Sequence, residues 1–229
     1  MQSMKQQLTI AGRDCTLYEM EQVSFLLIQP VDDHDLEGMD SEVETLRGMT
    51  DKRFSLLTVK VNSWEQDLTP WKAPAVFGKV PFGDGAADTL RLYTEQLLPT
   101  LTTQGVYRPA EMRLLLGGYS LAGLFALWAG YQTEVFHGIA AVSPSVWFPG
   151  WTDYATANKP MAKAVYLSLG DKEEKARNQV MASVGNAIRR QEALLEEQGI
   201  RHTLEWNTGN HFVDADIRMA KGFSWLMNE

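Results

Sequence analysis

The stretch "LLLGGYSLAGLFALW" (Leu114–Trp128) is an apolar run that stops at two glycines, sets one serine between small residues and becomes apolar again. The first half of this stretch fits a buried strand, and the second half fits an apolar helix that follows at once. The pattern G-x-S-x-A between them predicts a nucleophile elbow, a strained turn that exposes the Ser120 hydroxyl at the end of a strand. The positions two residues before and after this serine must be small, and they hold Gly118 and Ala122. The motif alone leaves a second interpretation open, a tight turn in which Ser120 only caps the helix.

Strand and helix patterns alternate along the rest of the chain. The predicted strands are 23–29, 54–61, 112–116, 138–142, 164–169 and 202–206, with 7–19 as an edge strand, and the predicted helices are 36–49, 85–101, 121–130 and 180–198, with a further helix at the C-terminus. This alternation predicts a mostly parallel, twisted sheet with helices on both faces. With 229 residues, 45% of them hydrophobic, we expect one α/β domain over residues 1–229 with little or no cap domain. The long irregular segment 62–83 is expected to have a functional role.

Charge and composition exclude several classes of protein. The net charge of -8 and the absence of a Lys/Arg cluster argue against nucleic-acid binding. No apolar run approaches the roughly 20 residues that span a bilayer, so no membrane association is expected. Residues 1–10 are polar and interrupted, unlike a secretory signal, and Cys15 has no partner for an internal disulfide. We therefore expect a soluble, cytoplasmic protein.

A nucleophilic serine needs a histidine base, and the order along the chain selects one of the four. In this architecture the nucleophile comes first, then the acid, then the histidine. His34 and His137 come too early, and His202 falls inside a predicted strand. His211 follows that strand in the loop "NTGNHFVDAD", from which it could reach Ser120. We therefore expect His211 to be the general base.

The acid that orients this histidine is expected in "GDKEEK" (Gly170–Lys175), directly after a predicted strand. Asp171, Glu173 and Glu174 are the candidates. The turn begins at Gly170, and the acid in comparable loops commonly stands three places past such a glycine, which favours Glu173. Asp171 remains the rival because it lies nearer the strand end, and Glu174 is expected on the surface.

Five segments together resemble the putative-esterase branch of the α/β-hydrolases, which includes enterochelin esterases and esterase D-like enzymes. They are "DLTPW" from Asp67, "GGYSLAGLFALW" from Gly117, "SPSVW" from Ser143, "LSLGDKEEK" from Leu167 and "GNHF" from Gly209. The resemblance covers roughly residues 23–229. It implies an α/β-hydrolase sandwich and a serine esterase that cleaves a small-molecule ester without a metal or other cofactor. Two departures are Ala122 in place of a common glycine and "IQPVDDHD" in place of an Asp-Gly or His-Gly turn.

Two backbone N–H groups are the expected oxyanion donors. The elbow places Leu121 at the positive end of the following helix, where its N–H can stabilise an oxyanion. By position after the first inner strand, Val31 supplies the second donor, with Asp32 as the neighbouring possibility. The acidic residues around His34 could suggest a metal site, but such turns are more often solvated helix caps, so no metal is expected.

Tryptophans in the predicted loops are the candidate substrate-binding residues. Trp64, Trp71 and Trp147 follow the carboxyl ends of strands, where ligands bind in such sheets. An aromatic floor suits an aryl or acyl group, although the same side chains could simply pack the loops against the body. Two other functions stay open from the sequence, an acyltransferase of the same fold and a hydrolase-like protein that binds a ligand without turnover.

Overall fold

A computed structural model describes residues 4–228, so residues 1–3 and 229 of the expected domain lie outside the described residues. Eight strands form one sheet in the order β1-β2-β4-β3-β5-β6-β7-β8. The strands are β1 (Met4–Ile10), β2 (Arg13–Glu19), β3 (Phe25–Val31), β4 (Phe54–Lys60), β5 (Arg113–Tyr119), β6 (Gly138–Val142), β7 (Ala164–Gly170) and β8 (Arg201–Asn207). The pairings from β4 through β8 are parallel, whereas β2 pairs antiparallel with both β1 and β4.

Helices connect these strands and cover both faces of the sheet. They are α1 (Asp33–Met49), α2 (Trp64–Asp67), α3 (Ala86–Leu92), α4 (Leu98–Thr103), α5 (Leu121–Gln132), α6 (Trp151–Ala157), α7 (Gln179–Ala182), α8 (Val184–Glu197) and α9 (Ala215–Met227). Helices α1 and α9 pack together over one hydrophobic cluster, and α3 to α6 and α8 enclose a larger one on the opposite face. The predicted mostly parallel sheet with helices on both faces is therefore confirmed. None of the described helices is both long and apolar enough to cross a membrane.

The N-terminal segment differs from the prediction of one edge strand over 7–19. It forms a hairpin, β1 and β2, because the chain reverses at Ala11 and Gly12. Both residues have positive φ angles, 52° and 74°, as a two-residue hairpin turn requires. Alanine is rarely found in this conformation. Gly12 is therefore the only one of the two turn residues that indicates a hairpin turn in the sequence.

Two predicted helices are interrupted in the structure. The helix expected over 85–101 contains a π-helical turn at Tyr93–Leu97, where the Leu98 N–H donates to the Tyr93 carbonyl. Pro99 follows directly and has no N–H to continue the α-helical hydrogen bonds. Its position accounts for the change from α-helical to π-helical hydrogen bonding in this turn. The helix expected over 180–198 breaks at Ser183, whose hydroxyl donates to the Val180 carbonyl at 2.6 Å.

Gly117, in the central strand β5, provides a test of how tightly the α9 face is packed. A Cβ atom at Gly117 would lie 2.4 Å from Cζ of Phe223, which is fully buried. We expect Gly117→Ala to lower the free energy of unfolding by about 1–3 kcal/mol, the usual cost of overpacking. Denaturant unfolding followed by circular dichroism measures this change.

Gly48→Ala in α1 is the matched control. Gly48 is exposed, and an added Cβ would contact nothing within 4 Å. Alanine is the better helix former by about 1 kcal/mol, so this variant should be neutral or slightly more stable. Equal stability of the two variants would contradict the packing of Phe223 described here.

Candidate active site

Ser120 lies in the strained turn between β5 and α5. Its backbone has φ 58° and ψ -121°, values that non-glycine residues seldom adopt, and its N–H donates to the Val142 carbonyl at 3.1 Å. A Cβ atom at Gly118 would lie 2.4 Å from the carbonyl carbon of Ala122. The turn therefore closes only because position 118 has no side chain. The strained strand-to-helix turn predicted from the sequence is present.

His211 and Glu173 form a hydrogen-bonded pair. His211 lies in the loop between β8 and α9, and Glu173 opens a single 3-10 turn after β7. The His211 Nδ1 atom is 2.7 Å from Glu173 Oε2. The two residues are 38 positions apart in the chain, and the parallel pairing of β7 with β8 brings their loops to the same edge of the sheet.

The Glu173 carboxylate is buried and accepts several hydrogen bonds. Only 7% of the residue is exposed, and Oε1 lies 2.7 Å from both the Ser143 hydroxyl and the Gly170 N–H. Burial by itself raises the pKa of Glu173, but the hydrogen bonds from His211, Ser143 and Gly170 outweigh it and hold that pKa below its ordinary value. Glu173 therefore faces His211 as a carboxylate.

Arg218 in α9 is the other charged partner of Glu173, and sequence reasoning missed it. The residue is 1% exposed, and its Nη1 atom is 3.1 Å from Glu173 Oε1. Nη2 donates to the carbonyls of Thr208 and Asn210, which belong to the loop that carries His211, at 3.1 Å each. Arg218 thus holds both the acid and the loop that carries the histidine.

The two rival acids have other partners. The Asp171 carboxylate accepts the Gly209 N–H at 2.8 Å, which ties the β7 loop to the histidine loop. Glu174 forms an ion pair with Arg189 at 2.9 Å. Of the three acidic candidates, Glu173 is the one placed against His211.

A cavity of about 700 Å³ opens at the carboxyl ends of β5 to β8. Ser120, His211 and Glu173 all line it, and so do Ser143 and Ser145. The Ser120 Oγ atom lies 3.4 Å from Ser145 Oγ. Within residues 4–228, no direct hydrogen bond joins Ser120 Oγ to His211, so the serine hydroxyl is turned towards Ser145 in this structure.

Two of the three candidate substrate-binding tryptophans line this cavity. Trp64 and Trp147 form part of its wall, together with Phe77 and Phe212, which sequence reasoning did not select. Trp71 does not line it, and this expectation is corrected. Its indole packs against Phe148 and Tyr154 and donates its N–H to the Pro149 carbonyl at 2.8 Å. Trp71 therefore fixes the loop after β6, the packing role that the sequence had left open.

The backbone around Val31 does not fit its expected role as an oxyanion donor. Val31 is fully buried opposite Lys60 in β4, and its carbonyl accepts the Val61 N–H at 2.9 Å. In a parallel ladder the N–H and the carbonyl of one residue point towards the same neighbouring strand. The Val31 N–H is therefore directed towards β4 and away from β5, which carries Ser120.

The neighbouring candidate, Asp32, caps α1. Its N–H donates to the Asp35 carboxylate at 3.2 Å, and its own carboxylate accepts the Asp35 N–H at 2.8 Å. Burial and the nearby charge of Asp32 raise the pKa of Asp35 to about 6. Leu121, the first expected donor, begins α5, where the N–H groups of the first turn have no partner within the helix.

The strand order, the strained serine turn after β5 and the Glu173–His211 pair on the loops after β7 and β8 define the class of protein, an α/β-hydrolase. The family model "Esterase: Putative esterase" matches residues 54–214. The chain therefore belongs to the putative esterase family, which assigns it to the hydrolases that act on esters. The resemblance noted in the sequence is confirmed.

Solved structures support the fold assignment. The siderophore hydrolase EstA from Aspergillus nidulans is 17% identical with a TM-score of 0.74, covering 99% of this chain and 94% of that one. The siderophore hydrolase EstB from the same organism is 16% identical with a TM-score of 0.72, and the match covers 98% of this chain and 94% of that one. The enterobactin esterase FES from Shigella flexneri is 14% identical with a TM-score of 0.71, covering 100% of this chain and 60% of that one. No curated protein sequence matches the chain.

The buried Arg218 generates a stability prediction. Arg218→Met keeps much of the side-chain volume but leaves the Glu173 carboxylate and two loop carbonyls without their cation. Breaking a buried ion pair in this way costs about 3–5 kcal/mol, and we expect that loss in the free energy of unfolding. Denaturant unfolding measures it.

Arg190→Met is the control, because Arg190 forms an exposed ion pair with Glu197. Pairs of that kind contribute about 1 kcal/mol or less. If both variants unfolded at the same denaturant concentration, Arg218 would not have the stabilising role described here.

Proposed function

We propose that this protein is a serine esterase in which Ser120 is the nucleophile, His211 the general base and Glu173 the acid that orients the base. The observation that carries the proposal is the 2.7 Å contact between His211 Nδ1 and Glu173 Oε2, made at the wall of a cavity that Ser120 also lines. The positive φ angle of Ser120 supports it, since such strain in a non-glycine residue clusters at functional sites.

The roles of the two histidine nitrogens follow from this contact. Because Nδ1 donates its proton to Glu173, Nε2 is the basic nitrogen. Ser120 and His211 line the same cavity, and we propose that the Ser120 side chain rotates away from Ser145 to donate to Nε2 when substrate binds, since catalytic hydrogen bonds are often loose before that step. The Glu173 carboxylate then stabilises the imidazolium that forms.

The reaction proceeds through an acyl-enzyme. Ser120 Oγ attacks the ester carbonyl carbon while its proton passes to His211, and the C–O bond to the alcohol then breaks as His211 protonates the leaving oxygen. A water molecule, deprotonated by His211, then attacks the acyl carbon. The bond between this carbon and Ser120 Oγ breaks as His211 returns the proton to Oγ, which releases the acid and restores Ser120 and His211.

Backbone N–H groups stabilise the oxyanion of the tetrahedral intermediates. We assign one donor to Leu121, whose N–H begins α5 directly after the nucleophile. For the second we propose the Asp32 N–H in place of Val31, because the ladder directs the Val31 N–H towards β4. The Asp35 carboxylate accepts a hydrogen bond from that N–H at 3.2 Å, and this bond would have to break as the oxyanion forms.

The substrate is a small-molecule ester with an apolar or aromatic group. Trp64, Phe77 and Trp147 supply apolar wall, and Met181 adds a flexible apolar surface that adapts to different shapes. Lys172 and Lys175 also line the cavity and are exposed, so a negatively charged substituent would find a favourable field at its rim. The siderophore hydrolases and the enterobactin esterase named above share this fold.

Removal of the nucleophile is the first test. We expect Ser120→Ala to reduce hydrolysis of p-nitrophenyl esters by about 10⁴-fold or more, because no other group supplies the attacking oxygen. Steady-state kinetics measures the loss, and circular dichroism checks the fold. The exposed Ser183 provides the control, since Ser183→Ala should stay within about twofold of the unmodified enzyme. Activity of Ser120→Ala within tenfold of the unmodified enzyme would exclude the proposed nucleophile.

The three acidic residues after β7 provide the second test. Glu173→Gln should lower kcat by about 10²-fold or more, since an amide cannot stabilise the imidazolium. Asp171→Asn keeps an oxygen for the Gly209 N–H, and Glu174→Gln loses only an exposed ion pair, so each should cost less than about tenfold. A large loss for Asp171→Asn with a nearly silent Glu173→Gln would transfer the role to Asp171.

A further inference from the structure

A second cavity, of about 350 Å³, lies between α1 and α9 on the other side of Phe212 from the candidate active site. Five carboxylic acids line it, and none of the described residues lining it is a lysine or an arginine. They are Asp35, Glu37, Glu42, Asp214 and Asp216. The one histidine among the lining residues, His34, is exposed and lies 3.9 Å from Glu37. Acidic side chains therefore dominate the charge of the cavity.

Buried oxygen atoms without partners distinguish this cavity from an ordinary acidic surface. Gln29 and Glu42 both line it, and each is 3% exposed. The Gln29 amide donates to Glu42 Oε2 at 3.2 Å, but Oε1 of Gln29 and Oε1 of Glu42 accept no hydrogen bond from any residue between 4 and 228. A buried acceptor without a donor destabilises the folded protein, so such atoms are usually paired.

The acidic groups of the cavity are close enough to affect one another. Burial, together with the charges of Asp35 and Asp216, raises the pKa of Glu42 well above its usual range despite the hydrogen bond from Gln29, which favours the neutral acid at this position. Asp216 accepts a hydrogen bond from the Ser41 hydroxyl at 2.7 Å, which adds no positive charge. A bound cation with N–H donors would relieve the repulsion and satisfy the free oxygens together.

The rest of the wall indicates what kind of cation fits. Tyr119, Phe212 and Met219 provide apolar and aromatic surface beside the carboxylates. Aromatic faces attract ammonium groups, and the side chains can pack against an alkyl body. Among the described residues, no three His, Cys, Asp or Glu side chains are grouped closely enough to hold a metal ion. The volume and the mixed wall fit an organic cation better than a bare ion.

We propose that this cavity is a binding site for a small aliphatic amine, with the ammonium group held by the carboxylates of α1 and α9 and the alkyl group against Tyr119, Phe212 and Met219. The site is separate from the candidate active site. Tyr119 and His211 form the partition between the two, since the Tyr119 hydroxyl donates to the His211 carbonyl at 2.8 Å and their rings lie 5.2 Å apart.

Titration calorimetry with n-butylamine on the full chain, at constant ionic strength, tests the proposal, and 1-butanol serves as the neutral probe of equal size. We expect saturable 1:1 binding of n-butylamine and none of 1-butanol. The double variant Asp214→Asn/Asp216→Asn should weaken binding by about tenfold or more, since it removes two of the charged groups that would hold the ammonium. Asparagine tolerates the positive φ of 54° at position 214 and still offers Ser41 an acceptor at 216, so this variant should fold.

Two further variants make the result specific. Glu134→Gln removes one exposed charge from the loop before β6, which lies at the amino ends of the parallel strands and so on the far side of the molecule from the carboxyl ends. Its affinity for n-butylamine should stay within about twofold of that of the unmodified protein. Glu37→Gln removes an exposed charge at the cavity and should weaken binding even if the double variant were unstable. Ser120→Ala protein should bind the amine normally, which separates this test from that of the esterase. Absence of saturation, or equal affinity in Glu37→Gln and Glu134→Gln, would overturn the proposal.

Discussion

The guanidinium of Arg218 lies inside the protein between the Glu173 carboxylate and two carbonyls of the histidine loop. A buried charge is tolerated only where its partners are fixed around it, so this group constrains every segment that it contacts. It joins α9 to the end of β5 through the Tyr119 hydroxyl and to the end of β6 through Ser143. The orientation of His211 towards Glu173 therefore depends on a residue that does not itself line the cavity.

The parallel sheet explains why these contacts are possible. Strands β5 to β8 all end at one edge, so four loops that are far apart in the chain begin within a few strand widths of one another. The elbow adds a local constraint, because Ser120 reaches its strained backbone only where Gly118 leaves room for Ala122. Sheet order thus brings the loops together, and side-chain contacts such as Asp171 to Gly209 fix their separation.

The sequence predicted positions correctly where a signal is local or follows chain order. Ser120 lies in the strained turn that its motif predicts, and Glu173 and His211 lie in contact on the loops after β7 and β8, while their roles in catalysis are the proposal made above. Arg218 and Ser143 could not be found in this way, because their contacts with Glu173 span 45 and 30 residues and no spacing rule marks them. Trp71 and Trp147 follow strand ends alike in the sequence, and only packing separates the one that braces a loop from the one that lines the cavity.

The loop that carries His211 separates two cavities of opposite character. On one side lie Ser120, Lys172 and Lys175, and on the other the five carboxylic acids of the cavity between α1 and α9. The Tyr119 hydroxyl donates to the His211 carbonyl, and Arg218 donates to the neighbouring Asn210 carbonyl. The loop that separates the two cavities is therefore fixed by residues of β5 and α9, and its position depends on the same buried contacts that hold Glu173.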